Sequence, residues 1–420
     1  MADITTCPPL TRESVRAAHE RIKPYIHLTP VLTNRTLDDI ASTPQSAEAL
    51  RSTQFEGEEP ASPKIRFFFK CENLQRVGAF KVRGAFHALT RLREVKGREG
   101  LKKGVITHSS GNHAQALSLA ARTFRIPAHI VMPTISTPSK IAATRSYGAH
   151  IHFSGSTSSE REAAVATVLA SDAQGATLVP PYDHPDIMLG QGTMALELEA
   201  QVHGLLVERR VHAELQGQTP VAAAEKEEDV GSGALDAVIT PCGGGGMLSG
   251  VATALAGTGT KIFGAEPEFE GADDAKRGVE RRERIESVKS LTIADGLRTP
   301  LGVHTWEVIS DEEKVQGLYS VSEEQIKAAM RLVLERMKVV VEPSAVVGLA
   351  VCLFNEEFRK MVETEAGDEG WNVGVVLSGG NTTVDAISKL FGADASEKEK
   401  ERQEGVMSMG GGKVAENIAG

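Results

Sequence analysis

From residue 104 onward, short apolar runs alternate with longer stretches of helical composition, and this alternation limits the possible folds more than any other feature. Residues 105–107 have the composition of a buried strand, and residues 112–124 are rich in alanine and leucine, as expected of a helix. Similar strand-like runs follow at residues 128–132, 149–153, 235–240, 261–266 and 374–377. A repeated strand–helix–strand order favours parallel strands whose crossover helices cover the sheet. The sequence therefore predicts an α/β fold.

Composition excludes several classes of protein. The chain has 420 residues, of which 41% are hydrophobic and 24% charged, and this suits a globular protein of two domains. The net charge of −10 gives no basic surface for nucleic acid. No run of about 20 apolar residues is present, so no membrane contact is expected. The four scattered cysteines (Cys7, Cys71, Cys242 and Cys352) are expected to be reduced thiols, and a cytoplasmic location is predicted.

Three short motifs occur in an order that packing alone does not require. Residues 78–84 read GAFKVRG, residues 109–113 read SSGNH, and residues 243–247 read GGGGM. The lysine of the first motif, Lys81, is a candidate amine for a Schiff base. The glycine run follows a predicted strand and begins a predicted helix, so its N–H groups can bind a phosphate. Taken singly, the motifs have structural alternatives: a solvated lysine, a helix cap and a turn without a ligand.

Together the motifs resemble those of the fold-type-II pyridoxal-phosphate (PLP) enzymes. The most similar branch contains serine racemases, serine/threonine dehydratases and threo-3-hydroxyaspartate ammonia-lyases. The resemblance covers roughly residues 14–392 and implies a tryptophan-synthase-β-like fold, with two open, twisted, mostly parallel sheets covered by helices. It also implies PLP as cofactor, a small amino acid as substrate and a homodimer.

The resemblance further implies roles for individual residues. Lys81 is expected to hold PLP as a Schiff base, and Lys81 and Ser110 are expected to be catalytic acid/base groups on opposite faces of the substrate Cα. The residues expected to contact the cofactor are Phe80, Lys81, Asn112, Gly243, Gly244, Gly245, Gly246, Met247 and Ser378. The residues expected to contact the substrate are Ser109, Ser110, Gly111, Asn112, His113, Arg161 and Thr299.

Three of these residues bear on the choice of reaction. Ser378 offers the pyridine nitrogen a neutral hydroxyl, which makes the ring a weaker electron sink and favours Cα proton exchange and β-elimination over transamination. Ser110 is the sequence argument for racemisation, because dehydratases of the family without racemase activity commonly have another residue there. Arg161 suits a β-carboxylate such as that of 3-hydroxyaspartate, and the alternative for it is a solvated helix charge.

A divalent-cation site is also implied by the resemblance. Glu266, the Ala272 carbonyl and Asp274 are expected to bind Mg²⁺, Ca²⁺ or Mn²⁺, and Asp236 is expected to lie nearby. The segment is about two residues longer than in similar enzymes, so Asp273 could replace Asp274. A solvated acidic loop is the alternative.

These observations predict a PLP-dependent serine racemase with L-serine and L-threonine dehydratase activity. The alternatives are a dedicated threo-3-hydroxyaspartate or serine/threonine ammonia-lyase and a catalytically inactive amino-acid-binding protein. Residues 10–103 and 177–392 are expected to form a large PLP-binding domain, and residues 104–176 a small mobile domain. The remaining segments are expected to be surface insertions (41–63 and 216–233) and a disordered tail (393–420).

Overall fold

The structure, a computed structural model, describes residues 3–109, 111–155, 158–216 and 234–392, without the side chains of residues 158 and 159. The strands are β1 (Val31–Leu32), β2 (Ile65–Cys71), β3 (Val105–His108), β4 (Ala128–Pro133), β5 (His150–Ser154), β6 (Thr177–Leu178), β7 (Ala237–Pro241), β8 (Lys261–Pro267), β9 (Gly317–Val321) and β10 (Trp371–Leu377). The α-helices are α1 (Arg12–Ile22), α2 (Arg35–Ala41), α3 (Lys81–Gly100), α4 (Asn112–Phe124), α5 (Pro138–Ser146), α6 (Ser158–Ala170), α7 (Pro185–Leu215), α8 (Gly246–Leu255), α9 (Asp274–Arg281), α10 (Val303–Ile309), α11 (Glu323–Leu332), α12 (Val347–Phe354) and α13 (Glu356–Ala366).

The larger sheet has six strands in the order β1-β2-β10-β7-β8-β9. All neighbouring strands are parallel except β1, which pairs antiparallel with β2 at one edge. The central strands β10 and β7 are buried along their whole length. Continuous burial is the reason that these strands are apolar at successive positions rather than at alternate ones.

The smaller sheet has four parallel strands in the order β5-β4-β3-β6. It spans residues 105–178 and so includes most of the predicted small domain, with β6 just beyond its predicted end. Two mainly parallel sheets with helices confirm the predicted fold class. The division into a large and a small mobile domain stays a prediction.

Two helices begin just beyond the carboxyl ends of central strands. Helix α4 follows β3 after three residues, and α8 follows β7 after four. In open parallel sheets, ligands bind at this edge because the loops and helix N-termini converge there. Both helices start within two residues of their predicted positions.

Four charged side chains are buried at the start of α3. Arg83 donates two hydrogen bonds to Glu72, at 2.7 and 2.8 Å, and two to Glu197, at 2.8 and 2.7 Å. Lys70 pairs with the same Glu197 at 2.7 Å. Two cations and two anions thus neutralise one another out of solvent, which anchors α3 to α7 and β2.

The segment 41–63 is fastened to α13 by one buried arginine. The Arg359 guanidinium donates to the carbonyl oxygens of Ala41, Thr43 and Ala61 at 2.6, 2.7 and 2.9 Å. Most residues of the segment are exposed, but Leu50 and Ala61 within it are buried. The three carbonyl bonds give this segment a fixed path across the surface.

Residues 382–420 form a separate unit of the chain, in which the described part is helical over residues 384–392. The predicted tail at 393–420 and nearly all of the predicted insertion at 216–233 lie outside the described residues. Among the helices that the structure describes, none combines the length and the apolar character needed to cross a membrane.

Candidate active site

A cavity of about 1200 Å³, including its open mouth, lies at the carboxyl ends of the strands. Every predicted cofactor or substrate residue that the structure describes lines it. Ser110 lies outside the described residues. The cavity therefore brings together groups that are separated by up to about 300 positions in the chain.

The turn before α3 places Lys81 beside Ser378. Val77 and Gly78 adopt positive φ angles of 57° and 68°, which reverse the chain before Lys81. A Cβ on Gly78 would lie 2.9 Å from Oδ1 of Asn381, so only glycine fits. The Phe80 amide then donates to the carbonyl oxygen of Ser378 at 3.1 Å, which ties the two functional segments together.

The Lys81 amine is held in an apolar environment. Its Nζ donates to the carbonyl oxygen of Pro181 at 2.9 Å and lies 5.1 Å from the centre of the Phe80 ring. Burial lowers the pKa of Lys81 to about 8. A lowered pKa increases the fraction of neutral, nucleophilic amine at physiological pH.

The glycine run between β7 and α8 leaves no room for side chains. A Cβ on Gly243 would lie 2.9 Å from Leu297 Cα, and one on Gly244 would lie 2.5 Å from the Tyr182 ring. Gly245, the N-cap of α8, has a φ of 82°. No side chain caps this helix, so the N–H groups of its first turn are suited to an anion such as a phosphate.

The second helix N-terminus, at α4, carries the remaining motif. Gly111 is its N-cap and provides no capping side chain. Asn112 donates to Oε1 of Glu342 at 2.8 Å and accepts from Nδ2 of Asn381 at 2.8 Å. These two bonds fix the Asn112 amide at the cavity wall, next to backbone N–H groups that can receive a carboxylate.

The His113 ring is buried in the cavity wall. Neither ring nitrogen makes a hydrogen bond of normal geometry with the residues that the structure describes. Burial and the charge of Lys81 lower the pKa of His113 to about 3. The ring is therefore neutral at physiological pH.

The cavity wall also contains residues that were not singled out from the sequence, among them Lys140, Tyr182, Asp295 and Glu342. Lys140 and Asp295 form an ion pair. Burial, with a further contribution from Asp295, raises the pKa of Glu342 to about 7. All four lie outside the three motifs, and no local pattern marks them.

The predicted metal ligands lie beside the cavity, at the end of β8 and the start of α9. Glu266 accepts the amides of Ala275 and Lys276 at 3.0 and 2.8 Å. Burial and the Asp274 charge raise the pKa of Glu266 well above its usual range, and burial raises that of Asp274 to about 7. Two buried carboxylates of this kind are suited to a hard cation.

The structure favours Asp274 over Asp273 as the partner of Glu266. Asp273 accepts a 2.8 Å hydrogen bond from the Arg277 guanidinium, whereas Asp274 is 2% exposed. Glu270 accepts the Leu291 amide at 2.7 Å. Ala272 is buried in the intervening turn.

The expectation for Asp236 is wrong. Asp236 immediately precedes β7 and accepts the amide of Asn372 at 2.7 Å. Its own carbonyl accepts the amide of Lys261, the first residue of β8, whereas Glu266 lies near the end of that strand. Because the strands are parallel, Asp236 lies at the amino ends of the strands and Glu266 at their carboxyl ends.

Comparison with known proteins agrees with this geometry. Residues 49–379 match the family described as pyridoxal-phosphate dependent enzymes. The chain belongs to this family. The match spans all three motifs and the whole of the cavity wall.

Relatives within the family act on amino acids. The chain is 36% identical over 386 residues to a serine racemase of Dictyostelium discoideum, covering 91% of this chain and 98% of the relative. It is 38% identical over 384 residues to an L-threo-3-hydroxyaspartate ammonia-lyase of Saccharomyces cerevisiae, covering 91% and 96%. The structure of maize serine racemase superposes with a TM-score of 0.70 at 33% identity, covering 93% of this chain and 99% of that chain.

The cavity fits PLP on its own chemistry. Lys81 supplies an amine of lowered pKa, and the glycine run supplies an uncapped helix N-terminus with no side chains in the way. An amine and an anion site in one cavity are groups that this cofactor needs.

Proposed function

We propose that this protein interconverts the two enantiomers of serine and also eliminates water from L-serine and L-threonine. The observation that carries the proposal is the single cavity in which the buried Lys81 amine, the glycine run and the α4 N-terminus meet. A phosphate site and an amine in one cavity suit the cofactor, and a second helix N-terminus suits the carboxylate of an amino acid.

Lys81 would hold PLP through its amine, the 243–246 glycines would bind the phosphate, and Ser378 would meet the pyridine nitrogen. When bound, PLP draws electrons away from the substrate Cα and so makes its proton acidic. The N–H groups at the start of α4 would bind and orient the substrate carboxylate. Once the substrate amine has displaced it from the cofactor, the Lys81 amine, whose lowered pKa suits a base near neutral pH, would remove the Cα proton from L-serine on one face.

The second proton transfer decides between racemisation and elimination. Racemisation requires a proton delivered to the opposite face of Cα, and Ser110 is the candidate donor by sequence resemblance. Elimination instead requires that the β-hydroxyl leave as water after Lys81 has taken the Cα proton. Both outcomes thus share the first step and separate at Ser110.

One incubation tests the proposal. Purified PLP-loaded protein is mixed with L-serine, and D-serine and pyruvate are measured in the same sample over time. The proposal requires both products. Pyruvate without D-serine would instead identify a dedicated ammonia-lyase, and neither product would contradict the proposal.

A second candidate substrate is threo-3-hydroxyaspartate. Arg161 lines the cavity, so a β-carboxylate would find a cationic side chain there. If this substrate is preferred, its kcat/KM exceeds that of L-serine. Arg161→Met should then lower kcat/KM for threo-3-hydroxyaspartate far more than kcat/KM for L-serine. An equal effect on both substrates would argue against a β-carboxylate site at Arg161.

The pair Glu266 and Asp274, with the Ala272 carbonyl, is proposed to bind Mg²⁺ or Ca²⁺. The pKa values of both carboxyl groups are raised in the absence of a cation, so a bound cation would relieve their mutual repulsion. The homodimer and the cytoplasmic location stay predictions.

A further inference from the structure

Cys7, His184 and Asp186 form a close cluster outside the proposed active site. Cys7 follows the short 3₁₀ turn Ile4–Thr6, His184 is the N-cap of α7, and Asp186 lies in the first turn of that helix. Their potential ligand atoms all lie within 4.8 Å of one another. Among the residues that the structure describes, this is the one group of three or more Cys, His, Asp or Glu side chains that meets so closely.

One distance in the cluster approaches that of a coordinated ion, and the other ligand atoms lie within 4.8 Å of one another. Cys7 Sγ lies 4.0 Å from Nε2 of His184. In a tetrahedral zinc site, sulfur, nitrogen and oxygen ligand atoms lie about 3.4–3.6 Å apart. A contraction of about half an ångström would bring the sulfur and the ring nitrogen onto one ion.

A buried carboxylate oxygen in the cluster lacks a hydrogen bond. Asp186 is 4% exposed, and its Oδ1 has no hydrogen-bond partner among the described residues. The nearest cation, Nε of Arg91, lies 3.6 Å away, too far for a hydrogen bond. A cation bound between the thiol, the imidazole and this carboxylate would give the unsatisfied buried oxygen a partner.

The charges of the site also balance around a divalent ion. A thiolate and a carboxylate would neutralise two positive charges; the Arg91 guanidinium, 3.6 Å from Asp186, is also paired with Glu94 at 3.0 Å. Sulfur, imidazole and carboxylate ligands match the preferences of Zn²⁺ rather than those of Mg²⁺ or Ca²⁺.

We propose that Cys7, His184 and Asp186 bind a Zn²⁺ ion. On binding, the Cys7 thiol releases its proton to solvent, and its sulfur forms the bond to the metal. Nε2 of His184 also binds, so the ring proton resides on Nδ1, which gives up the 3.2 Å bond it accepts from the Asp186 amide.

The ion would connect the N-terminal segment to the active-site wall. His184 ends the loop that contains Pro181, whose carbonyl oxygen receives the Lys81 amine, and Tyr182, whose ring lies against Gly244. Arg91 already holds the same N-terminal segment, since its Nη2 donates to the Thr6 carbonyl at 2.7 Å. The zinc site adds a second attachment two residues from Tyr182.

The test uses the full-length, PLP-loaded protein, freed of zinc by dialysis and kept in an excess of Mg²⁺ to fill oxygen-ligand sites. Zn²⁺ is titrated by calorimetry, and X-ray absorption identifies the ligand atoms. We expect one tight zinc equivalent with sulfur in its coordination shell. Either the absence of a tight equivalent or a shell without sulfur would overturn the proposal.

Two variants locate the site. Cys7→Ser removes the thiolate at a partly exposed position, and His184→Asn removes the imidazole but retains a residue that caps helices well. Each is expected to weaken zinc binding at least tenfold, while His203→Asn, on the same helix but outside the cluster, leaves it unchanged. Unaltered zinc affinity in Cys7→Ser would place the ion elsewhere.

Discussion

At the scale of single residues, the environment of Lys81 differs from that of an ordinary lysine. The amine is buried, its hydrogen bond goes to a backbone carbonyl oxygen, and its pKa falls to about 8. A surface lysine keeps a pKa near 10.4 and is almost fully protonated at neutral pH. The difference makes the free Lys81 amine a better nucleophile and base because more of it is neutral at physiological pH.

Replacing Lys81 by alanine should remove both covalent cofactor attachment and the base. We expect turnover of L-serine to fall at least about 10³-fold, together with loss of the visible absorbance of lysine-bound PLP. Lys64→Ala, at an exposed lysine paired with Asp368, should change neither quantity. Normal turnover by a folded Lys81→Ala protein would show that another lysine carries the cofactor.

A change at Ser110 separates the two proposed activities. Ser110→Ala should abolish formation of D-serine from L-serine, because no group then returns a proton to the far face of Cα. Pyruvate formation from L-serine should remain measurable, whereas elimination from D-serine should disappear. Ser118→Ala, in helix α4 with its hydroxyl bonded to the Ala114 carbonyl, serves as the control. Equal loss of D-serine and pyruvate from L-serine would mean that Ser110 mainly positions the carboxylate.

At the scale of secondary-structure elements, the two functional helix N-termini could be predicted from the sequence. The change from strand-like to helical composition places the starts of α4 and α8 within two residues, because apolar runs and glycine turns are local signals. The cavity residues Tyr182 and Glu342 could not be found this way. They reach the site through the folding of distant segments, and nothing in their own neighbourhood marks them.

The buried charges of α3 were missed for a related reason. Arg83 belongs to the motif at residues 78–84, but its partners Glu72 and Glu197 are 11 and 114 residues away in the sequence. Composition suggests that a charged residue is solvated, and only the fold shows that opposite charges meet here. Asp236 shows the opposite error. It is close to the glycine run in the sequence, but in the fold it lies at the opposite ends of the strands from Glu266.

The glycine run should tolerate no side chain. In Gly244→Ala the added Cβ would lie 2.5 Å from the Tyr182 ring, so the loop must move and its N–H groups with it. We expect PLP affinity to fall at least tenfold in a spectroscopic titration. Gly204→Ala, where nothing lies within 4 Å of the added atom and the backbone is helical, should retain PLP affinity and raise stability by about 0.5–1 kcal/mol. Unchanged PLP affinity in Gly244→Ala would contradict the proposed phosphate site.

At the scale of the whole molecule, the carboxyl ends of the strands concentrate charge as well as function. The Glu266–Asp274 pair lies beside the glycine run, and burial, with a further contribution from these two carboxyl charges, raises the pKa of Cys242. Such a cluster makes global stability depend on pH and on bound cations, since both act on the same repulsion.

The cation dependence of stability has a definite sign. The folded pKa of Asp274 is about 7, above its ordinary value of 3.8, so between these values the folded state binds the proton more tightly than the unfolded state. Without a divalent cation, stability should therefore fall as pH rises from about 4 to about 7. Bound Mg²⁺ neutralises the carboxylates and should remove this loss, so added Mg²⁺ should raise Tm by a few degrees at pH 8 and by less at pH 5. Scanning calorimetry in chelator and in Mg²⁺ at both pH values measures the difference.

Asp274→Asn should abolish the Mg²⁺ effect on Tm, whereas Asp273→Asn should retain it, because the Asp273 carboxylate pairs with Arg277. If Mg²⁺ raised Tm equally at both pH values, or still raised it in Asp274→Asn, the cation would not bind in this loop.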